Sequence, residues 1–443
     1  MLFSLVSCGN IFDFNGEEST TEEDVTTKKP HKYDDEDEEE DEDYEDEDDE
    51  EISEEKVTDE SSKEGTEEPS EEDIEESSEE ESEKPNPSGN EKIKIGLSAP
   101  LTGVAAIYGM AVNNAAQMAI DEINADGGIY GIELELKVLD DKHDATRVAA
   151  NYSALMDWGM QVSLGCVTST PCIEFARLSQ EDNVFFMTPS ASADAVVEYD
   201  NAYQMCVADG NQGTVAADYV NNLDYDTIGI LYKSDDPYSK GIYDTFKANL
   251  NDDISTVEAS FVGEYIDFTA QIDMLKDCEF IFMPIYCDSA ALFMMQAKGI
   301  IADDATYCGC DGFDGIESVY NFDIYSIPQK ITMLSHFNPN ATEGAAARFV
   351  ENYVELYGAE TLNEFGASAY DCVYAIFRAL KEARALGEDI KPTTPASDIC
   401  EILKAKFGGS FVFSGVTGEI IRWKPSGFVD KMPIALVIKE ADR

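Results

Sequence analysis

The feature that most constrains this fold is a regular alternation of short apolar runs with helix-length segments, which begins at Ile93. Such alternation is typical of parallel βαβ units, because each buried strand is followed by a crossover helix. Nine runs are predicted strands, at 94–100, 133–140, 162–166, 184–188, 227–233, 256–262, 279–285, 306–310 and 330–336. This number of strands indicates two α/β lobes rather than one.

Two segments show the helical pattern most clearly. Between Val112 and Ile123 the apolar residues fall on one helical face, and Asp126-Gly127-Gly128 follows as a C-terminal stop signal. Residues 342–358 form a second amphipathic pattern that also ends at a glycine. After a turn-rich stretch, residues 432–440 are predicted to return as a last strand.

The first 92 residues differ in composition from the rest of the chain. They hold 40 of the 92 acidic residues but only 7 of the 30 basic ones. Residues 17–92 contain almost no apolar side chains whose burial could offset the entropy of ordering, so we predict a disordered acidic linker. A self-repelling spacer is its simplest role, and specific calcium binding is the alternative. The net charge of -62 argues against nucleic acid as a partner.

The N-terminal stretch "MLFSLVSC" is apolar but far too short to span a bilayer. It resembles the end of a bacterial lipoprotein signal, in which Cys8 would be the lipidated residue. We therefore expect residues 1–16 to be a signal remnant and membrane anchor, followed by the acidic linker as a tether.

The other cysteines are odd in number and lie mostly inside apolar segments, which predicts buried free thiols. They are at positions 166, 172, 206, 278, 287, 308, 310, 372 and 400. Cys308 and Cys310 have the wrong spacing for a zinc site, and no histidine lies near them in the sequence. We predict no metal site and no cofactor.

Polar residues follow the apolar ends of five predicted strands. In open parallel sheets, ligands bind beyond the carboxyl ends of the strands. The residues in question are Thr168, Ser169, Ser190, Ser192, Tyr238, Tyr286 and Asp311. Hydroxyl groups near helix N-termini can hold a carboxylate, and Asp311 is a natural partner for an ammonium group. Taken singly, each serine could equally be a helix cap, and each tyrosine could be edge packing.

Six stretches in order and spacing resemble the extracellular solute-binding proteins of branched-chain amino acid ABC transporters, the leucine/isoleucine/valine-binding family. They are "IGLSAPLTGVAAIYG", "AIDEINADGGIYGIELELKVLDD", "GCVTSTP", "MTPSASAD", "QGTVAADYV" and "GVTGEI". The resemblance covers residues 93–440. It implies a type I periplasmic-binding fold, which is α/β, with two Rossmann-like lobes joined by three crossover segments that close by a hinge.

The same resemblance implies how the chain is divided between the lobes. Lobe 1 would comprise residues 93–208 and 338–415, and lobe 2 would comprise residues 209–337 and 416–443. The crossings are then expected near Ala208, Phe337 and Val416.

Ligand-binding residues also follow from the resemblance. The family's carboxylate-binding groups fall on Ser169 and on Ser190, Ala191 and Ser192, and its ammonium-binding acid falls on Asp311, where glutamate is typical. Its aromatic wall falls on Tyr108, Tyr238 and Tyr286. The family disulfide of the first lobe would fall near His143 and Thr168, so we expect it to be absent here.

The expected function is capture of a small amino acid, branched-chain or similar, and delivery to an ABC permease without chemistry. We expect a monomer, lipid-anchored outside the membrane of a Gram-positive-type bacterium. An enzyme is disfavoured because no G-x-G-x-x-G follows the first strand, no G-x-S-x-G is present, and His31, His143 and His336 are the only histidines. A ligand-sensing module of the same fold and an amide- or urea-type solute remain alternatives.

Overall fold

Two mostly parallel β-sheets form the framework of the protein, whose computed structural model describes residues 92–264 and 267–441. The first sheet contains β1 (Ile93–Ala99), β2 (Leu134–Asp140), β3 (Val162–Ser163), β4 (Phe186–Thr188) and β5 (Ala202–Gln204). The second contains β6 (Thr227–Lys233), β7 (Ser255–Phe261), β8 (Phe280–Met283), β9 (Thr306–Gly309), β10 (Lys330–Ser335) and β11 (Ile434–Lys439). We call the parts built on these sheets lobe 1 and lobe 2.

The strand order places a switch point in each sheet. Lobe 1 has the order β2-β1-β3-β4-β5 with every pair parallel, and lobe 2 has the order β11-β10-β9-β8-β6-β7 with only β11 antiparallel to its neighbour. The chain adds strands to one side of the sheet and then to the other, and the change falls between β1 and β3 in lobe 1 and between β6 and β8 in lobe 2. Ligands of open α/β sheets bind at such points.

Ten α-helices in the described part of the chain cover the sheets. They are α1 (Ala106–Ala125), α2 (Val148–Trp158), α3 (Ser169–Glu181), α4 (Asp209–Asn221), α5 (Pro237–Asn249), α6 (Thr269–Leu275), α7 (Cys287–Ala297), α8 (Gly344–Tyr357), α9 (Glu364–Ala385) and α10 (Ala396–Phe407). The predicted apolar face of α1, from Val112 to Ile123, is buried as expected. Gly127 ends this segment with a φ of 90°, a conformation that favours glycine.

The nine predicted strands are all present, and the main differences lie in lobe 1. Strand β5 was not predicted, because three residues that include Gln204 form no apolar run. Strand β3 is shorter than the predicted 162–166, since the chain turns at Gly165 with a φ of 66°. The predicted helix at 342–358 is confirmed as α8.

Residues 421–431 are hydrogen-bonded to the β5 edge of lobe 1. The indole N–H of Trp423 donates to the carbonyl of Gln204 over 2.8 Å, and the Gln204 N–H donates to the carbonyl of Gly427 over 3.0 Å. The ammonium of Lys431 donates to the carbonyl of Met205 over 2.8 Å. The chain therefore joins β11 of lobe 2 only after Lys431.

The nine cysteines in the described part of the chain are buried and form no disulfide, which confirms the prediction of free thiols. At the positions where the family disulfide was expected to be missing, the ring Nδ1 of His143 hydrogen-bonds the Thr168 hydroxyl over 2.8 Å. Over residues 92–264 and 267–441, no helix has the length and apolar character needed to cross a membrane. The predicted acidic linker and Cys8 lie outside the described residues.

Candidate functional site

The carboxyl ends of β3 and β4 bring the predicted serines of lobe 1 together. Ser169 is the first residue of α3, so the free N–H groups at the start of this helix face the end of the sheet. The Ser169 hydroxyl oxygen accepts the N–H of Ala193 over 3.3 Å, which ties the loop after β4 to α3. This end of lobe 1 has the N–H and O–H donors that a carboxylate requires.

The loop after β4 is held by its own hydrogen bonds. The Thr188 hydroxyl donates to the carbonyl of Cys166 over 2.8 Å and accepts the N–H of Ala191 over 3.0 Å. The Ser190 hydroxyl donates to the carbonyl of Val167 over 2.5 Å. Ser190 and Ala191 therefore shape the loop, and their donors have protein partners.

Asp311 lies at the carboxyl end of β9 on the facing side of the site and is only 2% exposed. Its two carboxylate oxygens accept hydrogen bonds from the Tyr238 hydroxyl over 2.8 Å and from the Gln212 side-chain amide over 2.7 Å. Burial raises the pKa of Asp311 to about 7, and the nearby charge of Glu364 adds to the rise. Asp311 is a fixed, buried acid whose charge is incompletely compensated by the protein.

The three tyrosines that the resemblance assigned to an aromatic wall lie close together. The Tyr108 hydroxyl, from lobe 1, donates to the carbonyl of Gly312 over 2.5 Å and accepts the N–H of Cys287 over 2.9 Å. The rings of Tyr238 and Tyr286 stack with centroids 4.7 Å apart. A side chain at Gly312 would put a Cβ 2.6 Å from the Tyr238 hydroxyl oxygen, so only glycine fits this close approach.

The Tyr286 hydroxyl lies against the start of α3. Burial raises the pKa of Tyr286 well above its ordinary value, as do the charges of nearby aspartates, while a hydrogen bond from the Ser169 backbone lowers it in part. The Tyr286 hydroxyl is therefore near the first backbone N–H groups of α3.

A narrow central cavity lies between the lobes. It is lined by Tyr108, Val167, Thr168, Ser190, Ser192, Tyr238, Tyr286, Asp311 and Phe365. Six of the eight predicted ligand-binding residues are on this lining, while the other two, Ser169 and Ala191, are sequence neighbours of lining residues. The cavity has hydroxyl groups on one side and a carboxylate on the other, an arrangement that suits a zwitterion.

Two buried residues at the site were not predicted. Gln212, on α4, holds Asp311 in place and also donates to the carbonyl of Val207 over 3.1 Å. Glu364, the first residue of α9, accepts hydrogen bonds from the Ser335 hydroxyl and the His336 N–H, each over 2.8 Å. Burial raises the pKa of Glu364 to about 7. Gln212 is the first residue of "QGTVAADYV", one of the stretches that carried the family resemblance. Glu364 gave no such signal, because a glutamate at the start of a helix is usually interpreted as an exposed residue.

No group of three or more histidine, cysteine, aspartate or glutamate side chains within residues 92–264 and 267–441 could hold a metal ion. The donors at the site are hydroxyl, amide and carboxyl groups, together with backbone N–H groups. Their arrangement suits reversible binding of a small polar molecule.

Comparison with known proteins gives a consistent result. The family described as periplasmic binding protein matches residues 92–425. The Leu/Ile/Val-binding protein BraC3 of Rhizobium johnstonii is 32% identical over 237 residues, which is 52% of this chain and 64% of that protein. The alignment thus spans less than two thirds of this relative.

Two solved structures share the fold. The branched-chain amino acid transporter substrate binding protein LivJ from Streptococcus pneumoniae, in complex with isoleucine, aligns with a TM-score of 0.65 and 26% identity over 79% of this chain and 99% of that one. The leucine binding protein LivK from Thermotoga maritima has a TM-score of 0.67 and 22% identity over 78% and 95% of the two chains. The predicted architecture of two parallel-sheet lobes is confirmed.

Proposed function

Since this chain belongs to the periplasmic binding protein family, we propose that it captures a free amino acid between its two lobes, outside the membrane, and delivers it to an ABC permease. The branched-chain amino acids bound by its relatives are the first candidates. The observation that carries the proposal is the central cavity, where the donors at the start of α3 face the buried carboxylate of Asp311.

Each end of the amino acid would have its own partner. The α-carboxylate would bind the Ser169 hydroxyl and the free N–H groups of α3, with Ser192 beside them. The α-ammonium would pair with Asp311, which Tyr238 and Gln212 hold in position. Because Ser169 and Asp311 belong to different lobes, one ligand would hold the lobes together.

We further propose that the chain crosses between the lobes near Ala208, near Phe337 and between Lys431 and Ile434. The third position replaces the expected one near Val416, because residues 421–431 are bonded to β5 of lobe 1. Crossings at these places would act as the hinge for lobe closure. No chemical step is part of this function.

A thermal-shift screen of the twenty amino acids tests the proposal. We expect one or a few of them to raise the unfolding temperature, since a ligand at one hundred times its dissociation constant adds about 2.7 kcal/mol to stability. Glycerol at the same concentration is a control for non-specific stabilisation. If urea or a simple amide stabilises the protein and no amino acid does, the alternative ligand class is correct.

Lipid anchoring through Cys8 is a separate proposal, supported by the sequence "MLFSLVSC". We expect Cys8→Ser, expressed with a complete lipoprotein signal, to move the protein from the washed membrane fraction to the soluble fraction. A diacylglyceryl group supplies the two acyl chains that stable anchoring needs. A Ser7→Ala variant should remain anchored, and retention of the Cys8→Ser protein in washed membranes would contradict the proposal.

A further inference from the structure

Asp209, the first residue of α4, is a buried acid to which the proposed function gives no role. It is 2% exposed, and neither of its carboxyl oxygens has a hydrogen-bond partner within residues 92–264 and 267–441. An acid at the start of a helix usually faces solvent, where water satisfies its oxygens. Burying a carboxyl group without a hydrogen bond costs free energy, so this group calls for a partner that the protein itself does not supply.

The start of α4 places Asp209 beside the wall of the central cavity. Its backbone N–H donates to the carbonyl of Ser192, a lining residue, over 2.9 Å. One turn further along the same helix, the Gln212 side chain donates to Asp311 over 2.7 Å. Asp209 is thus next to the two parts of the wall that carry Ser192 and Asp311.

The facing helix α5 leaves room for the Asp209 side chain but gives it no donor. The side chain runs along Gly241, where an added Cβ would lie 3.1 Å from Oδ2 of Asp209 and 3.4 Å from its Cβ. Gly241 is one turn after Tyr238, which lines the cavity. Because glycine has no side chain, the carboxyl group remains open to a donor that arrives with the ligand.

A bound amino acid would bring such donors. An ammonium group has three N–H donors, and each one enclosed in a closed site needs an acceptor. A carboxylate offers about four acceptor positions, and Asp311 already uses two of them for Tyr238 and Gln212. At least one N–H of the ligand therefore needs an acceptor other than Asp311.

Asp209 can accept this hydrogen bond without adding a second negative charge to the site. Burial raises the pKa of Asp209 well above its ordinary value, and the charge of Asp311 adds to the rise. A neutral carboxyl group still accepts a hydrogen bond through its carbonyl oxygen. One ionised acid, Asp311, then matches the single positive charge of the ammonium group.

We propose that Asp209 accepts one N–H of the ligand's α-ammonium group and makes the site selective for primary amines. An N-methyl group in place of that hydrogen would meet the carboxyl oxygen and leave it without a donor. This inference rests on the proposed function, because it needs an amino acid held between the start of α3 and Asp311.

Isothermal titration with L-leucine, L-isoleucine, L-valine and L-alanine, each beside its N-methyl derivative, tests the inference. The wild-type protein should bind the N-methyl form at least about tenfold more weakly than the parent amino acid. Asp209→Ala should weaken binding of the parent about fivefold or more, the loss of one hydrogen bond. It should also bring the two forms within about threefold of each other, because the methyl group can occupy the space that the carboxyl group leaves.

Two further variants separate the hydrogen bond from the fold. Asp209→Asn keeps a carbonyl oxygen at the position, so it should weaken binding of the parent amino acid less than Asp209→Ala does. Asp194→Asn changes an exposed acid beside the same helix start, where its Oδ2 is 3.6 Å from the Cβ position of Gly210. This matched control should leave both affinities unchanged.

The outcomes distinguish this inference from the proposed function. N-methyl forms that bind the wild-type protein as tightly as their parents overturn the inference and leave the amino acid function in place. Undiminished discrimination in Asp209→Ala overturns the role of Asp209. Failure of every amino acid in the thermal-shift screen to bind overturns the proposed function itself. The wild-type ratio of the two forms decides the selectivity for primary amines even if no variant folds.

Discussion

Replacing Asp311 by alanine is expected to weaken amino acid binding at least about tenfold. Asp311 is 2% exposed, and both of its oxygens are oriented by Tyr238 and Gln212. A charge-assisted hydrogen bond from a ligand ammonium to such a carboxylate contributes about 1.5–3 kcal/mol. The loss should exceed that of Ser169→Ala, because the backbone N–H groups of α3 still hold the carboxylate in the serine variant. Isothermal titration measures the amino acid affinity of each of the two variants.

The controls distinguish loss of the ammonium partner from loss of the fold. Asp311→Asn keeps the shape of the side chain and removes its charge, so the affinity of this variant for the amino acid should also fall. Asp303→Asn changes an exposed acid of lobe 2 and should bind like the wild type. An Asp311→Ala protein with wild-type affinity would mean that Asp311 does not hold the ligand's ammonium group.

Binding affinity is expected to fall by about tenfold for each pH unit below about 7. Burial raises the pKa of Asp311 to about 7, so the carboxyl is increasingly protonated as the pH decreases through that value. A protonated Asp311 cannot pair with an ammonium, whereas a bound ammonium favours the ionised form. Binding at pH 6 should therefore release a proton, and binding at pH 8 should release almost none.

Titrations in buffers of different ionisation enthalpy measure this proton release directly. Glu364 is the other buried acid with a pKa raised to about 7, and its charge acts on Asp311. Glu364→Gln should retain the pH dependence with a lower midpoint, because the neighbouring negative charge is removed. Asp311→Asn should lose the dependence. A flat pH profile of the wild-type protein between 5 and 8 would contradict the pairing of Asp311 with an ammonium.

Most of the fold could be predicted because buried parallel strands leave a clear signal. Strand β1, for example, is buried along almost its whole length and reads as an apolar run in the sequence. Strand β5 could not be predicted, since its three residues become a strand only by pairing with β4. The hydrogen bond between Gln204 and Gly427 joins residues 223 positions apart, and no local pattern encodes it.

The residues of the site also divide into those that could be predicted from the sequence and those that could not. Asp311 and Ser169 could be predicted because each follows an apolar strand at a sheet edge where ligands bind. Gln212 could not be assigned a role, because its contact with Asp311 joins residues 99 positions apart. The resemblance placed Ser190 among the ligand-binding residues, but only the structure shows that its hydroxyl donates a hydrogen bond to the carbonyl of Val167.

The central claim is that one amino acid bridges the lobes, with its carboxylate on the α3 side and its ammonium on Asp311. The most direct test is titration of the wild-type protein with the amino acid found in the screen, with its primary amide, and with its deaminated acid. We predict that the amide and the deaminated acid each bind at least about tenfold more weakly than the amino acid, a loss of about 1.4 kcal/mol or more. Binding of either analogue within about twofold of the amino acid would contradict the claim.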